Sequence, residues 1–155
     1  MDKPYFDLAD VQREMSDSRF YSRSFDMLQT FKLDALKNLC GRLPEENEAF
    51  FIETGKSFTA FTFIVYLLRN AGRINHLYIA TYSTNERIIN ALVRWYQTGQ
   101  LGSIHLHMSE TIKFRMPEVY NRLCQLAADG IIELTLAWSH MKVTCLDTPL
   151  GCFVV

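Results

Sequence analysis

From residue 49 onward the chain alternates, with regular spacing, between short apolar runs and longer segments whose apolar residues recur at helical period. No other feature limits the fold as strongly. A run of four to eight apolar residues suits a buried strand, and a dozen residues of helical period suit a helix that covers one. "AFFIE" (49–53) reads as a first strand. After "TGKS", Phe58, Phe61, Ile64, Val65 and Leu68 mark a helix that "AGRIN" breaks. "HLYIAT" (76–81) is a second strand. It leads through "YSTNE", where Ser83 and Glu86 have capping-box spacing, into a helix with Ile88, Ile89, Leu92, Val93 and Tyr96 on one face. "SIHLHMS" (103–109) is a third strand, "PEVYNRLCQLAA" a third helix opened by Pro117, and "IIELTLAW" a fourth strand. Such an order predicts an α/β fold: a mixed, mainly parallel sheet with helices on both faces. "HMKVTCL" and "GCFVV" are joined by "DTPL", which leaves no room for a helix, so the sheet is expected to end in an antiparallel hairpin.

Residues 1–48 differ in texture. They are polar and mixed, with an aromatic cluster in "SRFYSRSFDMLQTF" and a helix near "KLDALKNLC" that stops at Gly41 and Pro44. They read as an N-terminal helical or irregular arm on an α/β domain over 49–155. The 155 residues suffice for one sizeable core. A net charge of −1 and the lack of a charged tail select no partner, although a local basic groove can still bind phosphates. Cys40, Cys124, Cys145 and Cys152 form no C-x-x-C pair and read as reduced thiols rather than zinc ligands. The start "MDKPYFDLAD" lacks a signal-peptide pattern, and "FTAFTFIVYLL" is too short to span a bilayer, so a cytoplasmic location is expected.

Three stretches could carry chemistry. "ETGKS" resembles the end of a phosphate-binding loop, but position 50, where the first glycine belongs, is phenylalanine. What remains is Gly55, Lys56 and Ser57 at a helix start, where free N–H groups and the dipole favour an anion, or form a plain cap. His105 and His107 stand two apart on one strand and so share a face. With only Glu110 to complete a metal set, hydrogen-bonded sheet histidines are the better reading. In "SHMKVTCLD" (139–147), strand parity predicts His140, Lys142 and Thr144 on one face, with Met141, Val143 and Cys145 turned to the core. An imidazole can attack phosphorus, and an adjacent ammonium can hold the non-bridging oxygens as charge builds up. Asp147 has the wrong parity to join them directly.

The spacing H-x-K-x4-D formed by His140, Lys142 and Asp147, on a strand that follows a β-α repeat, resembles the catalytic signature of the phospholipase D superfamily. "HLYIATYSTNERIINALV" and "FFIETGKSFTAFTFIVYLLRNAG" are similar to the family's preceding strands, turns and helices, so the resemblance covers about residues 49–155. It implies a phosphodiesterase that hydrolyses or transfers through a phosphohistidine without a metal or other cofactor, with nucleic acid slightly ahead of phospholipid as substrate. His140 would be nucleophile or general acid, Lys142 would bind phosphate and Asp147 would support the site. Ser83, Thr84, Lys56 and Ser57 are the candidate substrate-binding residues. Family sites use two such motifs and one is present here, which implies a homodimer. Catalytic members follow the aspartate with a short strand, a Gly-Ser and an Asn. Here "TPLGCFVV" ends where the Gly-Ser would begin, so an incomplete domain is expected. The alternatives are a non-catalytic binding or assembly module with a degenerate site, and an α/β domain carrying the motif by accident.

Overall fold

The computed structural model describes residues 31–52 and 58–155. The chain forms two compact units, Met1–Ser57 and Phe58–Val155. In the first, residues 31–40 are helical, with Leu33 and Leu36 buried. The helix ends at Gly41, whose φ of 69° only glycine adopts freely, and whose N–H donates to the Lys37 carbonyl at 2.8 Å. In the following loop Arg42 grips the Glu48 carboxylate with both terminal nitrogens, at 2.6 and 2.7 Å, and holds that carboxyl down to about 2. The expected strand at 49–53 is not formed. Residues 49–52 are irregular, Phe51 is 97% exposed, and Glu53 lies outside the described residues. A short apolar run becomes a strand only where a partner strand satisfies its backbone, and periodicity cannot supply that partner.

The second unit carries the expected α/β order. Helix α1 (Ala60–Ala71) starts after Thr59, whose N–H donates to the Thr62 hydroxyl at 3.4 Å, and ends at Gly72 in the left-handed region. It is apolar nearly all round, and Phe61, Ile64, Val65 and Leu68 are buried, as their spacing predicts. Strand β1 (Ile74–Thr81) is followed by α2 (Glu86–Gln97), with Ile89, Leu92 and Val93 buried. The α2 cap differs from the expected one. Asn85, not Ser83, accepts the N–H of Ile88, at 3.1 Å. Strand β2 (Leu101–Ser109), a single turn α3 (Ile112–Arg115), helix α4 (Pro117–Ala128) and strand β3 (Glu133–Ala137) complete the parallel part. The hairpin β4 (Val143–Thr148) and β5 (Gly151–Val154) follows.

The five strands lie in the order β3-β2-β1-β4-β5. β1, β2 and β3 run parallel, β4 is antiparallel to β1, and β5 is antiparallel to β4. The chain is therefore an α/β protein with a mixed, mainly parallel sheet and a terminal hairpin. Burial alternates along each central strand. Leu77 and Ile79 of β1, Ile104, Leu106 and Met108 of β2, and Leu146 of β4 form the core face with the helices. The other face presents His76, Tyr78, Ser103, His105, Glu133 and Asp147, all exposed or half-buried. Two crossovers stepping the same way, β1 to β2 to β3, put α2 and α4 on one side by the right-handed rule.

Candidate functional site

The pleat of β4 runs opposite to the expected one. Thr144, Leu146 and Thr148 are turned to the core, with Thr144 only 1% exposed, while Val143, Cys145 and Asp147 face the open side. The reason is that the strand begins at Val143. His140 and Lys142 lie before it in irregular chain, where strand parity does not apply, and both are exposed. Leu146, deeper in the sheet and opposite Leu77, sets the register by its burial.

Antiparallel pairing decides where the motif residues go. Val143 lies opposite Ala80 and Asp147 opposite His76, so β4 enters at the carboxyl end of β1 and leaves at its amino end. His140 and Lys142 thus stand at the carboxyl edge of the parallel strands, where α/β sheets bind ligands. The His140 ring stacks on Tyr82, just past the end of β1, at 6.2 Å between centroids. Arg115, from the turn after β2, lies over the same Tyr82 ring at 5.8 Å. Ser83 and Thr84 follow Tyr82 in the loop of this edge, and the Ser83 carbonyl accepts the Thr81 hydroxyl at 3.1 Å. Among the described residues no carboxylate approaches Lys142 or Arg115 within 4.0 Å, whereas Lys113 reaches Glu110 at 3.8 Å. The edge therefore gathers the His140 imidazole and the Arg115 guanidinium on one aromatic ring, with Lys142 two residues along the chain from His140.

Asp147 is elsewhere. It stands four residues beyond Val143 along β4, about 13 Å at the rise of an extended strand. There it faces His76 Nε2 at 4.0 Å and accepts the Cys152 thiol at 3.5 Å, and that hydrogen bond raises the Cys152 thiol above its ordinary range. Of the residues picked out by sequence, His140, Lys142, Ser83 and Thr84 share the carboxyl edge, Asp147 lies at the opposite one, and Lys56 and Ser57 fall outside the described residues. Tyr82 and Arg115 were missed. Both sit just past the carboxyl ends of parallel strands, and that position was the available signal for them.

His105 is hydrogen-bonded as expected. Its Nε2 meets the Ser103 hydroxyl at 3.0 Å and its Nδ1 meets Glu133 at 2.9 Å, while Tyr78 stacks on its ring at 4.3 Å. Among the described residues no group of three or more His, Cys, Asp or Glu side chains is arranged to hold a metal ion, and no helix is long and apolar enough to cross a membrane.

No protein-family model matches the chain, and no curated protein matches it. The crystal structure of polyphosphate kinase from Porphyromonas gingivalis aligns with 57% of this chain at 19% identity and a TM-score of 0.41. The chain spans 16% of the length of that structure.

Proposed function

We propose that the carboxyl edge built from His140, Lys142, Arg115 and Tyr82 is a phosphoryl-transfer half-site of the phospholipase D type, acting on a phosphodiester. The observation that carries this reading is a histidine and an arginine on one ring, with Lys142 two residues along the chain from that histidine, at the sheet edge where α/β folds bind ligands. An imidazole nitrogen of His140 attacks phosphorus, the N–P bond forms as the P–O ester bond breaks, and the leaving oxygen takes the electron pair and a proton. Lys142 and Arg115 hold the non-bridging oxygens, whose charge grows in the transition state. Water then attacks phosphorus, the P–N bond breaks, and His140 is restored. One chain offers one such histidine, so the group that protonates the leaving oxygen is His140 of a second copy. The two basic groups and the exposed aromatics of this edge, Trp138 among them at 77% exposure, suit a nucleic acid strand better than a lipid headgroup.

A chromogenic phosphodiester assayed with chelator present tests the reading. Wild type should turn over, and His140→Ala should lose at least about a hundredfold, the scale of a nucleophile's contribution. Equal rates for the two proteins sink the proposal. They would favour the second reading, a binding or assembly module. The backbone of the edge strand β5 favours that one: Thr144 and Val155 exchange both hydrogen bonds, so by alternation Cys152 and Val154 turn their backbone groups outward.

A further inference from the structure

The open face of the sheet carries a hydrogen-bonded chain that the phosphoryl-transfer reading does not use. Strand register builds it. His76 lies opposite Ser103, and His105 lies opposite Tyr78 on one side and Glu133 on the other. Ser103 and His105 are two apart on β2 and share a face. The Ser103 hydroxyl is 3.0 Å from His105 Nε2, His105 Nδ1 is 2.9 Å from a Glu133 carboxylate oxygen, and His76 Nδ1 is 2.8 Å from the same hydroxyl.

With both histidines neutral and His76 protonated on Nδ1, every donor in the chain has an acceptor. Glu133 can only accept, so His105 carries its proton on Nδ1 and leaves Nε2 bare. The Ser103 hydroxyl must then donate to Nε2 and receive from His76 Nδ1–H. Nucleophile, base and orienting carboxylate thus stand in the order and at the distances of a Ser-His-acid triad. The stacked Tyr78 ring, 14° from parallel with the imidazole, fixes the base in plane. His76 adds an N–H beside the oxygen that loses its proton.

We propose that Ser103 is an activated nucleophile for acyl transfer from small carboxylic esters, with His105 as general base and Glu133 as its positioning residue. Ser103 Oγ bonds to the carbonyl carbon while its proton passes to His105 Nε2. The C–O ester bond breaks, and the alcohol leaves with that proton. Water, deprotonated by the same nitrogen, then attacks the acyl carbon, and its proton returns to Oγ as the acid departs. The backbone N–H groups of mid-strand residues are committed to the sheet ladder, so no backbone oxyanion hole assists, and both acylation and deacylation are expected to be slow.

The test uses the full chain and a fluorophosphonate probe, read by intact mass and peptide mapping. Ser103 Oγ forms the bond to phosphorus, fluoride leaves, and the proton goes to His105. Wild type should gain an adduct on Ser103, mapped apart from any on His140, the phosphorus nucleophile of the other site. His105→Gln should label about a hundredfold more slowly, the usual worth of a general base. Glu133→Gln should label Ser103 at an intermediate rate. A folded wild-type protein left unlabelled at Ser103, or His105→Gln labelled at the wild-type rate, overturns the assignment. Because the first result is read on the unmutated chain, it holds even where a variant fails to fold.

Discussion

Single residues of this chain have roles set by which end of a strand they occupy. His140 and Asp147 belong to one sequence motif, yet antiparallel pairing with β1 sends them to opposite edges of the sheet. Asp147 works on Cys152 instead. It accepts the thiol hydrogen bond and adds its own negative charge, and both keep the thiol protonated above its ordinary range. Replacing Asp147 by Asn removes that charge, so the thiol titrates at lower pH and more of it is thiolate at any pH below its midpoint. Asp147→Asn should therefore raise the rate of Cys152 alkylation by iodoacetamide at pH 8, measured by peptide mass. It should leave the Tyr82 and His140 edge unchanged. A Cys152 rate unaffected by the substitution would contradict the contact.

Among elements, α2 shows what caps do and how sequence spacing can mislead about them. Ser83 and Glu86 have capping-box spacing, but the chain is still leaving β1 at Ser83, where the Thr81 hydroxyl donates to its carbonyl. The helix begins three residues later, and Asn85 takes the cap because its extended backbone aims the side-chain oxygen at the Ile88 N–H. Asn85→Ala should cost about 1 kcal/mol of unfolding free energy in urea titration, and Ser83→Ala should cost much less. The reverse order would place the cap where the spacing suggested. β4 gives a similar lesson. Three polar residues in "SHMKVTCLD" invite a parity argument, and the argument fails because two of them precede the strand.

For the whole molecule, a one-histidine site has a kinetic signature. If the leaving group takes its proton from a second copy, phosphodiesterase activity per chain should fall on dilution as dimers dissociate. Sedimentation velocity at the same concentrations should show the matching loss of dimer. Constant specific activity through a monomerising dilution would exclude the two-copy site. The ester chemistry assigned to Ser103 lies within one chain, so its labelling rate per chain should not change across the same dilution.

Apolar spacing and turn residues determined the order of the elements. Gly72, Pro117 and the "DTPL" connection fix where helices stop, where one starts and where the chain doubles back, and these are local decisions that neighbouring residues enforce. His140 and Lys142 were legible as candidates from the motif, and Ser83 and Thr84 from the resemblance; residues past the carboxyl ends of parallel strands collect at one edge. Pairing was not legible. That 49–52 stays irregular, that Asp147 meets His76, that Arg115 joins His140 over Tyr82, and that Ser103, His105 and Glu133 line up across two strands all depend on register. Register is decided by which apolar residues, such as Leu77 and Leu146, reach the core together. Contacts between residues more than twenty positions apart are set by that shared burial, which no local pattern records.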